Sequence, residues 1–489
     1  MTTPHLVSCV LDLLGRGDPN PDRHRTINAA SITAIMDRLY FGDFHIFEQL
    51  STGPGGDRIN LIGRKGPAEA APVWLVAQTG LGAPPVPALW PGLDGNPVVP
   101  RRLPGPDRLS AFGAQSGRVD LMAKILAASR IPAARLARPI HIAALSGEEG
   151  LGSGAPLLFP DGTARATGTA LVHGPTGGHL WSSHPGCLLL QLRVTRRTRH
   201  RRMPPHGGFW QLLLTETSGH VNLGRPGPDA LELARMALDA MRARGEIRVL
   251  AIEAGETGCR RPAHATLQVA TLDPEPPILD SVAPGLVVTA IPDGAVVPLP
   301  IDAVLAGWLA ARDAGVAAIA AAPGLVRPVA SRAGPLTGSD AITTGRLASE
   351  RDGLHGLIAI WTGPGADADA LIDRFTEAAM AAIASDDELD LDLDLLSARP
   401  AWQGPIPGAP LHAIAVAASQ AAGLPTTFER GLASTDAGLF TQLGVEALVF
   451  GPTGPIDALY HDREAIEVEQ LAAATRFYEA TLEALCARR

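Results

Sequence analysis

One stretch constrains this chain more than any other. From Pro139 to Leu145 an apolar run of strand length, Pro-Ile-His-Ile-Ala-Ala-Leu, leads through Ser146 and Gly147 into two adjacent carboxylates, Glu148 and Glu149. A glycine-rich turn, Gly150-Leu-Gly152-Ser-Gly154, follows at once. A strand without polar alternation is covered on both faces, as in a parallel or mixed sheet flanked by helices. Sheets of that kind place ligands beyond the carboxyl ends of their strands. Two neighbouring carboxylates at such an end can divide the work, one holding a cation and the other serving as general base. The bland alternative is a solvated strand end whose acids face a helix N-terminus. A dinucleotide loop fits poorly, because the turn does not match G-x-G-x-x-G and stands behind two acids that would repel a pyrophosphate.

The remaining composition narrows the classes. With 489 residues, 46% of them hydrophobic and 19% charged, the chain is globular and long enough for one large domain or two to three ordinary ones. A formal net charge of -9 gives no reason to expect nucleic acid. Cys9, Cys187, Cys259 and Cys486 are widely spaced, form no CxxC pair and suggest no disulfide framework, which fits a reducing cytoplasm. The N-terminal Met1-Thr-Thr-Pro-His-Leu-Val lacks the basic and apolar regions of a signal peptide. No run of 18 or more apolar residues predicts a membrane span. Cytoplasmic localisation, with no membrane partner, is the expectation.

Periodicity predicts helices throughout residues 1–50, clearest over 30–40, then strands at 58–63 and 73–77. Residues 80–108 are rich in Pro and Gly and predict a long loop, a helix spans 119–129, and the acidic strand end follows. This alternation implies an α/β core. Near residue 186 the pattern changes to strands at 186–194, 209–215, 265–270 and 356–361, with helices at 229–244 and 367–385. Arg196 to Arg202 form a basic segment, read first as a solvated hairpin tip and second as a patch for an acidic ligand. Residues 280–345 enlarge the second domain, and the acidic segment 385–394 predicts an exposed return crossing. Helices at 411–421 and 467–486 and a strand at 447–450 then return to the first pattern. The expected organisation is a first core part over 1–185, an inserted α+β domain over 186–397, and a second core part over 398–489.

In order along the chain, several segments together resemble one family. Ser146-Gly-Glu148-Glu149-Gly-Leu-Gly152-Ser resembles its acidic Asp-Glu-Glu-x-x-Gly-Ser signature. Ser218-Gly-His220 through Pro226, then Asp229-Ala-Leu, resembles a histidine segment of its lid domain, and Gly255 to Pro262 a lid turn. Ser434-Thr-Asp436-Ala-Gly, Leu443-Gly-Val445, Phe450-Gly-Pro452 and Glu464-Ala-Ile-Glu-Val resemble its C-terminal run. The family is that of the di-zinc amidohydrolases and exopeptidases, among them acetylornithine deacetylase, succinyl-diaminopimelate desuccinylase, aminoacylase, carboxypeptidase G and carnosinase. The resemblance implies a two-domain zinc-exopeptidase-like fold with an inserted lid that mediates dimerisation.

The resemblance also implies where a two-zinc centre would lie, and there the sequence departs from the family. The strand-end His-x-Asp position reads Gln78-Thr79-Gly80, and the bridging Asp position reads Ser116. The fourth ligand falls at His173 or within Arg193-Val-Thr195, and the late His falls on Tyr460, with His461 next to it. The lid arginine that reads substrate carboxylate is replaced, by Trp361 or near Ala270. Catalytic zinc takes three ligands of N, O or S type plus water, and an amide or a hydroxyl is a poor substitute for imidazole and carboxylate. The expectation is therefore no cofactor, or at most one weakly held divalent metal on Glu149 and His461. Glu148 and His220 are the catalytic candidates. Gln78, Ser116, Glu149, Asp436 and His461 are candidates for binding a substrate. Ser116 and Asp436 each have a plain reading as helix N-caps.

Two functions fit these residues. The first is a repurposed, metal-independent enzyme that uses Glu148 as acid or base on a small amide-, amine- or acyl-bearing molecule. The second is a non-catalytic pseudoenzyme that binds a small molecule or a partner protein. Conventional metal-dependent amide hydrolysis stands third. A homodimer formed through the lid domain is expected in each case.

Overall fold

A computed structural model describes residues 3–16, 29–51, 58–80, 99–103, 107–148, 152–159, 168–197, 206–215, 219–220, 228–245, 247–255, 258, 260–277, 279, 286–292, 300–326, 341–350, 353–454 and 464–488. The chain divides into two compact units, residues 1–186 with 399–489, and residues 187–398.

The first unit is built on a six-stranded sheet. Its spatial order is His45–Ser51, Arg58–Lys65, Ile140–Leu145, Val73–Gln78, Thr169–Val172 and Glu446–Val449. The last four strands are mutually parallel, and the first two join as an antiparallel edge. Val73 to Ala77 and Ile142 to Leu145 are buried without alternation, as the sequence predicts for strands covered on both faces. The covering helices are Thr3–Gly15, Gly117–Ser129, Pro410–Ala422 and Val468–Cys486, whose apolar residues share one core with the sheet. Gly117–Ser129 is buried from Gly117 to Ala128 although it carries Arg118, Asp120 and Lys124. Charges so placed need internal partners, and their partners prove central to the site.

The second unit carries an eight-stranded sheet in the order Val287–Ala290, Gly208–Thr215, His264–Thr271, Ile247–Gly255, Ile342–Ser349, Gly353–Thr362, Gly186–Arg196 and Leu389–Arg399. Helices Ala230–Arg242, Asp302–Ile319 and Ala368–Ile383 pack their apolar faces into its core.

Four expectations change. The N-terminal region is not helical throughout: His45–Ser51 is a strand, paired in register from His45–Arg64 to Ser51–Arg58. Within the long loop expected at 80–108, Arg101–Leu103 and Arg108–Ser110 pair as a short hairpin, and Ala465–Glu467 adds to it; residues 81–98 lie outside the described residues. The acidic segment runs on into the edge strand Leu389–Arg399 rather than a bare crossing. Its Leu-Asp alternation has the period of a strand, with Leu389 buried and Asp392 and Asp394 exposed. The basic segment is no hairpin tip, because the strands on either side of it, Gly186–Arg196 and Gly208–Thr215, are not neighbours in the sheet; it begins in ion pairs, with Arg197 Nη2 2.5 Å from Asp390 Oδ1 and Arg196 Nε donating to Glu388 at 2.9 Å.

Candidate functional site

Parallel strands bring their carboxyl ends to one edge of the first sheet. Ile140–Leu145 and Thr169–Val172 flank Val73–Gln78 on either side, and Gln78 pairs with Leu145. The edge therefore presents, side by side, the segment leading to Glu148, then Gln78, then His173, whose amide donates to Val76 O at 2.9 Å.

The acidic turn is anchored at both ends by one side chain. Asn60 is fully buried, and its Oδ1 accepts from Ser146 N at 2.9 Å and from Ser146 Oγ at 3.1 Å. Its Nδ2 donates to Gly154 O and to Gln49 Oε1, both at 2.9 Å. Gly154 N in turn donates to Ser146 O at 2.6 Å. Between these ends Gly147–Glu148 pairs with Gly152–Ser153. The Glu148 side chain and the whole of Glu149 lie outside the described residues.

Gln78 ends its strand with Nε2 donating to Asp436 Oδ2 at 3.3 Å. A carboxylate only accepts, so the amide must turn its NH2 to Asp436. Asp436 is 3% exposed and lies 3.6 Å from the buried Arg399 guanidinium. It occupies the N-cap position of the Ala437–Gln442 helix without making a side-chain cap. That bond falls to the preceding residue, since Thr435 Oγ1 accepts from Ala437 N at 3.2 Å. The Thr435 hydroxyl also meets His184 Nε2 at 2.8 Å, while His184 Nδ1 donates to Pro185 O at 2.9 Å. His184 stacks on Trp402, and burial pushes its pKa down to about 4, so it is a neutral structural imidazole that places Asp436.

Ser116 sits before the Gly117–Ser129 helix, and its hydroxyl donates to Gly113 O at 2.7 Å rather than capping. The turn is tied to the C-terminal run by Glu464, which accepts from Gln115 N at 3.0 Å. One turn into the helix lies Asp120, fully buried, and it accepts from three donors. Lys124 Nζ is 2.7 Å away, Tyr478 OH 2.5 Å and His173 Nδ1 3.1 Å. Burial alone would raise the Asp120 carboxyl, but Lys124 and His173 outweigh it and hold it below the ordinary carboxylate value. Burial raises the Tyr478 phenol well above 10, so it stays a donor. Burial lowers the Lys124 ammonium from its ordinary value, opposed by Asp120. Lys124 also donates to Val76 O at 2.8 Å, one strand turn from the site.

Two glycines make room for the His173 ring. A Cβ on Gly117 would stand 2.7 Å from Gln78 O and 3.2 Å from His173 Cδ2. One on Gly451 would stand 2.4 Å from Gly174 O and 3.0 Å from His173 Nδ1. The imidazole is thus flanked by the Gly117 and Gly451 backbone, with its Nδ1 committed to Asp120.

Of the sequence candidates, the structure brings Gln78 and Asp436 into contact and places Gly117, next to Ser116, against Gln78. His220 lies in the second unit, where its backbone pairs with Arg260, and its side chain is outside the described residues, as are Glu149 and all of His461. Between the two places for the fourth ligand, His173 ends a strand of the core sheet, whereas Arg193 and Thr195 lie within the second unit's Gly186–Arg196 strand. Sequence reasoning missed Asn60, Asp120, Lys124, Arg399 and Tyr478. One signal was available: of 41 basic residues only Lys65 and Lys124 are lysines, and Lys124 stands four residues after Asp120 in an apolar helix.

The donors among the described residues do not by themselves make up a two-zinc set. Gln78 offers an amide already bound to Asp436, Ser116 offers a hydroxyl bound to a carbonyl, and His173 is the one imidazole of this edge among the described residues. The described residues include no group of three His, Cys, Asp or Glu able to hold a metal, and no helix long and apolar enough to cross a membrane.

The fold has known counterparts. Human carnosine dipeptidase 1 superposes with a TM-score of 0.56 at 11% identity, covering 99% of this chain and 97% of that one. The Saccharomyces cerevisiae di-peptidase Dug1p gives 0.56 at 13% identity over 99% and 96%. The Sulfolobus solfataricus metallo-carboxypeptidase Sso-CP2 gives 0.52 at 11% identity over 98% of both chains. No curated protein matches the sequence. The sequence itself matches Peptidase family M20/M25/M40 over residues 86–484, and with the strand-end geometry this establishes that the chain belongs to that family.

Proposed function

We propose that this chain is a divergent hydrolase of the peptidase family that works without the two-zinc centre, on a small amide-, amine- or acyl-bearing molecule, with Glu148 as acid or base. One observation carries the reading. The two central ligand positions, Gln78 and Ser116, hold neutral groups, the amide giving one hydrogen to Asp436 and the hydroxyl its hydrogen to Gly113 O. A neutral amide and a hydroxyl are suited to grip a polar substrate rather than to balance two dications. Anchoring of the acidic turn by buried Asn60 favours a working Glu148, since a group whose turn is held by three hydrogen bonds at its base costs little to reposition in the transition state. A homodimer through the second unit belongs to this reading and is measured by light scattering.

The test has two parts. Metal content of protein purified without chelator, followed by zinc titration, should give no stoichiometric zinc and no rise in melting temperature; two zinc ions per chain would return the protein to conventional hydrolysis. Turnover of a panel of dipeptides and N-acetyl amino acids should then be lost in Glu148→Gln. Binding of panel members without any turnover would instead support a pseudoenzyme.

A further inference from the structure

The geometry points to His173 as the general base of this cleft, with Asp120 as the residue that positions it; the assignment rests on the metal-independent reading above and deepens it. Three facts converge on one atom, His173 Nε2. First, His173 stands at the carboxyl end of a core strand beside the one that ends in Gln78, where an α/β sheet binds its ligands. Second, its Nδ1 faces a carboxylate that is itself fully buried and saturated by Lys124 and Tyr478. A carboxylate only accepts, so the proton of the neutral ring sits on Nδ1 and the lone pair on Nε2. Third, Gly117 and Gly451 close against the ring and fix its plane, while the side chain keeps 15% exposure, so solvent and ligand reach it. A buried acid that sets the tautomer and orientation of a partly open histidine is the arrangement that makes an imidazole a base at neutral pH.

The step balances with water as the only co-reactant. Water bonds through oxygen to the acyl carbon while one of its protons passes to His173 Nε2. The C–N bond then breaks, and the leaving nitrogen takes a proton from Glu148, whose segment follows the strand on the other side of Gln78. The product carboxylic acid ionises to solvent, and proton exchange with solvent resets His173 and Glu148. The assignment gives the two groups opposite duties, which a cleft without a Lewis acid requires.

The test uses full-length protein with EDTA present throughout. Proton-detected nitrogen-15 spectra of histidine-labelled protein should show His173, assigned by its loss in His173→Gln, as the Nδ1–H tautomer. In Asp120→Asn, Lys124 Nζ and His173 Nδ1 face one and the same side-chain atom and Tyr478 the other, so the amide oxygen stays with Lys124 and the ring and its NH2 turns to Tyr478; the Nδ1–H signal should persist while kcat falls with the charge removed. On the dipeptide and N-acetyl amino acid panel, His173→Ala should lower kcat about 10²- to 10⁴-fold with KM little changed, and free imidazole should restore part of the loss. An Nε2–H tautomer in the wild type, or wild-type turnover that survives His173→Ala, overturns the assignment and leaves the metal-independent reading standing. No wild-type turnover of any panel member in EDTA overturns that reading and the base role with it. Should Asp120→Asn fail to fold, the wild-type tautomer and imidazole rescue decide alone.

Discussion

Removing the Lys124 charge tests the electrostatic argument most directly. Lys124 and Asp120 are both 0% exposed, 2.7 Å apart, one turn apart on a helix with no solvent on any face up to Ala128. Lys124→Met fills nearly the same volume but leaves Asp120 with only the Tyr478 hydroxyl and the His173 ring, and Val76 O without its ammonium donor. Breaking one side of a buried pair costs about 3–5 kcal/mol, because the remaining charge is stranded in low dielectric. Urea unfolding at pH 7 should therefore show a loss of that size for the first unit. Asp120→Asn alone strands the ammonium and should cost a similar amount. The double variant has no stranded charge and should lose far less than the two singles together, with a coupling of about 2 kcal/mol or more. The sign with pH follows from the direction of the shift. Asp120 titrates below its unfolded value, so the pair's contribution is whole above the ordinary carboxylate range and fades as pH falls through the lower folded value. Additive single losses, with coupling under about 0.5 kcal/mol, would refute the claim that these charges depend on each other.

Three further outcomes follow from the geometry. Asn60→Leu strands Ser146 N and Gly154 O and should cost about 2–4 kcal/mol in urea unfolding, with activity on any substrate falling further than stability, since Glu148 hangs from those groups. His184 and His141 both titrate near 4, lowered first by burial, so the unfolded chain takes up protons that the folded one refuses as pH falls from about 6.5 to 4. Stability should decline over that window, and His184→Asn should flatten the slope by up to about 1.4 kcal/mol per pH unit. Replacing the exposed acids of the Leu389–Arg399 edge strand, Asp392→Val with Asp394→Val, should raise self-association in sedimentation velocity, because alternating charge is what keeps an exposed edge from pairing with a copy of itself.

Much of the fold was legible because it depends on periodicity. The unalternated runs at 73–77 and 140–145 could only be strands covered on both faces, and they are. The segment at 385–394 misled because charge density outweighed its period of two. The site was less legible, for a physical reason. Matching motifs finds residues at fixed spacing, such as Glu148 after its strand, but the groups that hold the site come from distant parts of the chain. Asn60 reaches Gly154, Tyr478 reaches Asp120, and Asp436 meets Gln78 358 residues away. His173 was visible as a position but judged for a carboxylate it lacks; its value lies in Asp120, which only the fold brings to it.

The buried charges of the first unit pair with one another. Asp120 faces Lys124, Asp436 faces Arg399, and Glu464 acts on Arg118, whose pKa burial lowers to about 10. Each buried acid of this wall has a buried base of its own from the same chain. In a two-metal centre the acids at these strand ends would be left in excess for the ions to neutralise. Here Gln78 and Ser116 add no charge, so the buried charges of the described wall pair among themselves, and an added dication would have to draw its compensating carboxylates from outside that wall. Restoring the family's groups tests this: Gln78→His with Ser116→Asp reinstates an imidazole and a bridging acid beside His173. The double variant should be less stable than wild type in EDTA, through the unpaired Asp. It should regain stability with zinc, by about 2.7 kcal/mol at a hundredfold excess over its dissociation constant. Wild-type protein should show no zinc-dependent change in melting temperature. If instead the wild type is stabilised by zinc and the double variant no more so, the charges of this wall are not closed, and Glu148, Glu149 and His461 hold a metal that the rest of the cleft tolerates.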